Sequence, residues 1–510
     1  MTLGRFFSAW TAAVIAAHIA LVPRVNASSE SAKSPWFQGS VATALDAAKA
    51  GHKYILLYWG AVWCPPCNEL KSQVFSQPRF AELMRPMLAV ALDGDSDEAQ
   101  AWAEKLRVQG YPTVLLLSPE GKELMRLPTA VSMEEFEAAL TVALKNPDGI
   151  DLALQHGLNG KASADEWSLL ANYSWHEDTN GGDAAKLIQN LMTLIKNVPS
   201  NLVAERSRLV TLFLTTVASS ESEKNQPEIR QFAIQELSWL YGDATTTTAA
   251  RSLFAYSPNV EVWLYPNDDA QAPDADRRWL GAAVLVTQAK DSSVDTRLWA
   301  SVAPMLLHGS RYPDKALPKE LRDLVVREVA RSDQEAKSPY ERKAVISGAA
   351  TLLRDVGDFD GARKLLSKEL RKTDTPWYLL ASLAHLEKAA GHEDKALELI
   401  AKARKSAKGR ASKLQWIQAD VAMTAGIKNR RQVPRLATLL ADFYDTASSL
   451  DDGFQGRNAR TAAKVADSIR PFLDQNPIKK IVSKAAKRCY EQKRPTNCQE
   501  HFTGLGQMAN

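Results

Sequence analysis

The segment YWGAVWCPPCNEL (58–70) holds two of the four cysteines of the chain, three positions apart with two prolines between them. Before it, KYILLYWG (53–60) is a short apolar run of the kind that forms a buried strand. After it, residues 68–84 carry apolar side chains at broadly helical spacing. The sequence therefore predicts that this cysteine pair lies where a buried strand turns into a helix.

That position favours a redox role for the pair. Cys64 falls at the helix N-terminus, where the helix dipole would lower its pKa and make it the nucleophile, and Cys67 follows one turn later. Of the two, only Cys64 is expected to be open to solvent. A disulfide that closes two residues adds little stability, and zinc would need two more ligands, whereas the other cysteines lie more than 400 residues away. An inert disulfide and a metal site remain as the alternatives.

The motif WCPPC (63–67) on such a turn resembles the thioredoxin superfamily, and its two-proline form is similar to tryparedoxins and nucleoredoxins. The longer segment 56–80 resembles exported thioredoxin-like proteins related to periplasmic disulfide reductases. The resemblance covers about residues 34–146. It implies an α/β thioredoxin fold and thiol:disulfide exchange with protein thiols and disulfides, with no cofactor and no metal.

A second segment supports the resemblance. In QGYPTVLLLSPEGKELMRL (109–127), Tyr111-Pro112 precedes a β run, a turn and a second strand. The resemblance implies a cis peptide bond at Pro112, facing the cysteines, and a substrate that Trp63, Tyr111 and Pro112 bind as an added strand. The predicted helix 132–145 begins with a capping box, Ser132 and Glu135, and closes the domain.

Two features depart from the family pattern. Thioredoxins carry a buried aspartate six residues before the first cysteine, where this chain has Tyr58. Either Asp93 or water then takes the proton of the second thiol, or this thiol reacts more slowly. The structural interpretation of Tyr58 itself is a core aromatic. Pro65 and Pro66 lack the N–H groups that could stabilise a Cys64 thiolate, so its pKa is expected to be lowered only moderately. Either direction of electron flow is compatible with this pattern.

The N-terminus predicts export. Arg5 precedes a stretch without charged residues, 6–22, and Val25-Asn26-Ala27 fits a small-x-small cleavage site. We expect a signal peptide at 1–27 and a periplasmic mature protein without a membrane span; an uncleaved membrane anchor is the alternative. The formal charge of +4 falls by two without residues 1–27, so there is no electrostatic case for nucleic acid.

After a thioredoxin-like domain at 28–148, helical patterns dominate residues 149–510, with 259–266 as one doubtful strand. Two helix pairs, with glycines at 357 and 391, repeat at a spacing of 34 residues and are clearest over 343–405. This period resembles the tetratricopeptide repeat, although the signature tryptophan is missing at Ile346 and Leu380. Chance similarity of two helix pairs is the alternative.

Stacked helix pairs form a surface that usually binds a peptide or protein partner. Two hypotheses follow: an exported thiol:disulfide oxidoreductase whose helical repeats bind a partner, or a non-catalytic scaffold in which both regions are interaction modules. The presence of both Cys64 and Cys67 favours the first, since a scaffold needs neither.

The other two cysteines, Cys489 and Cys498, are nine residues apart and follow a helical pattern that Pro495 should end. An oxidising compartment and an even cysteine number favour a structural disulfide between them. A second redox pair that passes electrons to Cys64 is the alternative.

Overall fold

The computed structural model describes residues 34–177, 183–427, 432–450, 453–491 and 496–506. The predicted signal peptide at 1–27 lies outside these residues. The described chain from Pro35 onward forms one compact unit. Its α/β part and the all-helical region that follows confirm the predicted fold class.

The sheet has four strands in the order β2-β1-β3-β4. Strand β1 runs parallel to β2 and antiparallel to β3, and β3 runs antiparallel to β4. All residues of β1 and β3 are buried, which explains why both strands read as continuous apolar runs. The bounds are β1 (Ile55–Gly60), β2 (Leu88–Asp93), β3 (Thr113–Leu117) and β4 (Glu123–Arg126).

Five helices complete the α/β part: α1 (Val41–Gly51), α2 (Pro65–Leu70), α3 (Pro78–Leu83), α4 (Asp97–Lys105) and α5 (Met133–Lys145). A π-helical turn, Lys71–Phe75, continues α2. Because side chains alternate along a strand, one sheet face packs on α1 and α4 and the other on α3 and α5. The capping box predicted for Ser132 and Glu135 is confirmed.

The helical region contains 21 α-helices among the described residues. They are α6 (Ile150–Leu158), α7 (Ala164–Asn172), α8 (Ala184–Asn197), α9 (Val203–Ala218), α10 (Pro227–Leu240), α11 (Ala244–Ala249), α12 (Arg251–Tyr256), α13 (Pro258–Leu264), α14 (Ala272–Gln288), α15 (Val294–Ser301), α16 (Ala303–Arg311), α17 (Lys319–Glu335), α18 (Pro339–Asp355), α19 (Phe359–Leu370), α20 (Trp377–Ala389), α21 (Glu393–Ser406), α22 (Arg410–Ala425), α23 (Gln432–Ser448), α24 (Gly456–Ile469), α25 (Asn476–Glu491) and α26 (Thr496–Thr503). None of the described helices is both long and apolar enough to cross a membrane.

The repeated sequence forms two helix pairs, α18 with α19 and α20 with α21. Gly357 and Gly391 end the first helix of each pair, both with φ of 83°, a left-handed conformation that favours glycine. The repeated alanines, Ala362 and Ala396, are both fully buried. Their membership of the tetratricopeptide class stays a prediction.

The strand considered for 259–266 is wrong, because the segment forms helix α13. Pro258 occupies the first helical turn, where its missing N–H costs nothing. Val260 and Leu264, four residues apart, are both fully buried. Helical spacing therefore prevails over the strand-like alternation of the segment.

The helical region shares a hydrophobic core with the sheet. One continuous apolar cluster extends from β1, β3 and α5 to α14. At its edge, Glu135 of α5 accepts hydrogen bonds from Arg208 of α9 and from Arg251 of α12. The carboxylate is partly buried, but these partners and the Ser132 backbone lower its pKa to about 2. The seam between the two regions thus has both an apolar and an ionic component.

Candidate functional site

The cysteine pair lies at the start of α2, as predicted. Cys64 is the N-cap residue, and its sulfur accepts a hydrogen bond of 3.3 Å from the backbone N–H of Cys67. Pro65 and Pro66 occupy the first turn of the helix, and the sulfurs of Cys64 and Cys67 are bonded to each other. A Cys64 thiolate would therefore keep one backbone donor and the positive end of the helix.

The expectation that Cys64 is open to solvent is wrong. Cys64 is 5% exposed and Cys67 is fully buried. The order of accessibility is as expected, but side chains from the helical region cover the site. The sequence could not indicate that these side chains enclose the site, because they lie about 300 positions or more after the cysteine pair in the chain.

The loop before β3 lies opposite the cysteines. The Tyr111–Pro112 peptide bond is cis, as the resemblance implies. The carbonyl oxygen of Tyr111 lies 3.9 Å from the sulfur of Cys64. The structure thus brings this loop, α2 and Trp63 together, and Trp63 and Tyr111 pack against the buried cluster that contains both cysteines.

Trp63 is enclosed by the helical region. Its ring stacks on Tyr378 of α20 at a centroid distance of 5.8 Å and meets the edge of Trp416 of α22 at 6.2 Å. Its indole N–H donates to Asp95, 2.7 Å away. A residue predicted to contact substrate is therefore also an anchor between the two parts of the chain.

Tyr111 is covered in the same way by α24. The guanidinium of Arg457 lies 4.6 Å from the centre of the Tyr111 ring and donates to its hydroxyl at 2.7 Å. Arg460 donates to the backbone oxygen of Gln109 at 2.5 Å. Helix α24 thus contacts the loop that the resemblance assigns to substrate binding.

Tyr58, which replaces the expected aspartate, lies in the core. It is 3% exposed, its ring packs on Trp36 and Phe75, and its hydroxyl has no hydrogen-bond partner among the described residues. Burial raises the pKa of Tyr58 well above its usual value. Tyr58 is therefore poorly suited to accept a proton near neutral pH.

The sequence analysis did not identify three carboxylates near the cysteines, of which Asp95 is buried and Glu69 and Asp295 are partly buried. Asp95 follows β2, and burial raises its pKa, although the bond from Trp63 opposes this. Glu69 of α2 accepts a hydrogen bond of 2.5 Å from Ser293, and Asp295 of α15 accepts one of 3.0 Å from Tyr256. The acidic run DGDSD (93–97), directly after a strand, could have indicated Asp95 as a site residue. No sequence pattern indicated Glu69 or Asp295.

Glu69 and Asp295 line a cavity of about 550 Å³ beside α2. Burial, followed by the charge of Glu69, raises the pKa of Asp295 to about 7, and burial likewise raises the pKa of Glu69. No group of three or more His, Cys, Asp or Glu among the described residues is arranged to hold a metal ion.

Cys489 and Cys498 belong to a different apolar cluster from that of Cys64 and Cys67. Their sulfurs are bonded to each other, and both residues are buried in an apolar cluster formed by α22 to α26. The bond joins α25 to α26, and Pro495 lies outside the described residues. No described contact connects this pair with Cys64, which favours a structural role.

A sheet with helices on both faces and a bonded cysteine pair opposite a cis proline define a protein of the thioredoxin-like class. Residues 41–143 match the family model described as a thioredoxin-like domain. Over 97 residues the chain is 36% identical to thioredoxin H-type of Brassica oleracea, covering 19% of this chain and 72% of that protein. The chain belongs to the thioredoxin family.

Two further proteins show similarity over the same region. The thiol:disulfide interchange protein DsbD of Pseudomonas fluorescens is 33% identical over 82 residues, 16% of this chain, and the match spans only 14% of that relative's length. The solved structure of the oxidoreductase DsbH aligns with a TM-score of 0.20 at 23% identity, over 22% of this chain and 85% of that one.

Serine at both positions 489 and 498 is expected to destabilise the protein by about 2 to 3 kcal/mol, because the bond closes a short loop. Disulfide reduction by Cys64 and Cys67 should be unchanged. Thermal unfolding together with an insulin-reduction assay checks both points. A folded variant without turnover would instead support electron transfer from this pair to Cys64.

Proposed function

We propose that the protein is an exported thiol:disulfide oxidoreductase that exchanges disulfides with protein substrates through Cys64 and Cys67. The observation that carries the proposal is the placement of Cys64 at the N-cap of α2, bonded to a buried Cys67 and 3.9 Å from the carbonyl of Tyr111. Thioredoxins and thiol:disulfide interchange proteins among the relatives support the activity.

Reduction of a substrate begins from the open dithiol. The Cys64 thiolate attacks one sulfur of the substrate disulfide, that bond breaks, and the second substrate sulfur leaves as a thiolate. Cys67 then loses its proton and attacks the sulfur of Cys64. The mixed disulfide breaks, the substrate leaves with two electrons, and Cys64 and Cys67 end bonded as they are in the structure. Oxidation of a substrate is the same sequence reversed.

Because Cys67 is buried, few groups can accept the proton of its thiol. Tyr58 is unsuited to accept it because of its raised pKa. Asp93, the carboxylate that the sequence suggested for this role, lies at the exposed end of β2 and is paired in register with Gly60 of β1. We propose that Asp93 or water accepts the proton of the Cys67 thiol. Release of the mixed disulfide is then the slow step.

Export and partner binding are the remaining parts of the proposal. The N-terminal sequence pattern supports export to the periplasm, where a disulfide such as Cys489–Cys498 persists. The helix pairs α18–α21 support a tetratricopeptide-like region that binds a protein partner. In the scaffold alternative, the same contacts would hold an inert thioredoxin fold.

An insulin-reduction assay with dithiothreitol as electron donor tests the function. We expect the protein to accelerate insulin precipitation and Cys67→Ser to accumulate a covalent complex with insulin. A wild-type protein that is fully reduced, correctly folded and no faster than dithiothreitol alone would support the scaffold alternative.

The cover over the site predicts size-dependent alkylation of the reduced protein. Iodoacetamide should modify Cys64 before Cys67, whereas a maleimide on a long polyethylene glycol chain should modify Cys64 much more slowly. Arg457→Ala should accelerate the reaction of Cys64 with the large maleimide, because Arg457 covers Tyr111. Arg470→Ala, at an exposed position just after α24, is the control. Peptide mapping checks the sites; faster reaction at Cys67 would contradict the assigned roles.

A further inference from the structure

A cavity of about 230 Å³ opens beside the cysteine pair, between Trp63 and the repeated helices α18 to α20. Its apolar surface consists of Trp63, Ile346, Tyr378 and Leu379. Its lining also includes one proline and three hydroxyl side chains: Pro339, Ser347, Thr373 and Thr375. The charged side chains of the lining are four cations and one acid: Lys337, Arg342, Lys343, Lys372 and Glu369. We call this cavity the Trp63 groove.

Two of the four cations are already paired. Arg342 donates to Asp333 at 2.6 Å and to Glu369 at 2.7 Å, and these two carboxylates raise its pKa even though burial lowers it. Lys372 lies 3.0 Å from Glu369. Glu369, the one acidic group of the groove, is therefore shared between two cations.

The other two cations are less well paired. No ion pair of the Lys337 ammonium group is found among the described residues, although the backbone N–H of Lys337 donates to the carboxylate of Glu341. Lys343 lies 3.9 Å from Asp374, whose side chain is 88% exposed, so that contact is weak. Lys71, on the turn after α2, lies outside the lining of the groove. Its pKa is lowered by burial and then by the charge of Lys343, while the charge of Asp93 opposes this.

We propose that the Trp63 groove binds an acidic segment of the substrate polypeptide close to the cysteine that reacts with Cys64. The inference rests on the proposed function and adds a substrate preference to it. Weakly paired ammonium groups beside apolar walls attract carboxylates more strongly than isolated surface lysines do. Trp63 precedes Cys64 directly, so a segment a few residues from the substrate cysteine can reach the groove.

The cover over the site favours an extended segment over the surface of a folded domain. Cys64 is 5% exposed, and α20, α22 and α24 contribute the side chains around Trp63 and Tyr111. A flexible chain can enter such a groove with its carboxylates on Lys337 and Lys343. Its apolar side chains would then lie against Trp63 and Tyr378.

Three short peptides test the proposal. Each contains one cysteine joined by a disulfide to a neutral thiopyridine reporter, with flanks rich in aspartate and glutamate, in serine and glycine, or in lysine. The wild-type protein should release the reporter from the acidic peptide with a kcat/KM about tenfold above that of the neutral peptide, which corresponds to two modest ion pairs. The lysine peptide should be slowest, and added salt should reduce the differences.

Reversing two charges provides the matched comparison. Lys337→Glu with Lys343→Glu should abolish or invert the preference, mainly through KM, while insulin reduction continues. Lys479→Glu with Lys480→Glu, on the exposed face of α25, makes the same charge change away from the groove and should leave the preference intact. The salt dependence of the wild-type protein gives a check that needs no variant.

The outcomes separate the two proposals. If insulin is reduced but the three peptides react equally, the groove proposal is overturned and the oxidoreductase remains. An equal loss of preference in the α25 variant would also overturn it, because net charge alone would then explain the effect. If insulin and all peptides stay oxidised, the proposed function fails and the groove proposal fails with it.

Discussion

Replacing Cys64 by serine is expected to lower insulin reduction by roughly a thousandfold or more, to the rate of dithiothreitol alone, because the attacking thiolate is lost. Cys64 is the only cysteine of the pair with any exposed surface, and it carries the N-cap position of α2. Cys67→Ser should behave differently. It keeps the first attack but lacks the thiol that releases the substrate, so the covalent complex should accumulate.

The control for this prediction is the second cysteine pair. The Cys489 and Cys498 serine variant should keep full turnover while losing stability, since its sulfurs lie in a separate apolar cluster. Equal turnover of Cys64→Ser and wild type, measured with the same thiol titre, would contradict the assignment of the nucleophile.

Replacing Glu135 by alanine is expected to destabilise the protein by about 3 to 5 kcal/mol. Removal of this carboxylate takes away the partner of Arg208 at the seam between the two regions, and it leaves the largely buried Arg251 with Asp291, 3.4 Å away, as its remaining ion pair among the described residues. Thermal or urea unfolding measures the loss. Glu137→Ala is the matched control, because Glu137 lies two residues further on α5 and pairs with a half-exposed Arg79. It should change stability little.

The same carboxylate gives a pH dependence with a definite sign. Its folded-state pKa, about 2, lies below the usual value of 4.5, so its contribution is complete above pH 4.5 and is lost as the pH falls toward 2. Wild type and Glu135→Ala should therefore converge in stability on acidification. Equal stability of the two proteins at neutral pH would show that the ionic seam contributes nothing.

Local patterns in the sequence predicted the local structure well. The strand-to-helix turn at Cys64, the capping box of Ser132 and Glu135, and the helix pairs around Gly357 and Gly391 all depend on residues close together in the chain. The resemblance supplied the cis bond at Pro112, which spacing alone does not encode. The strand considered for segment 259–266 was wrong because short apolar runs fit both a strand and a buried helix.

The environment of the site could not be predicted in this way. Trp63 packs on Tyr378 and Trp416, and Tyr111 on Arg457, and each pair is separated by more than 300 residues. Such contacts depend on how the helices stack, which no local period indicates. The acidic pair of Glu69 and Asp295 forms for the same reason, across α2 and α15.

Mass mapping of the trapped complex tests the central claim most directly. Reduced Cys67→Ser is mixed with insulin, the covalent complex is isolated without reductant, and its peptides are identified by mass spectrometry. The account predicts one insulin cysteine bonded to Cys64, with Cys489 and Cys498 still bonded to each other. Insulin attached at Cys489 or Cys498, or the absence of any complex from a folded and reduced protein, would contradict it.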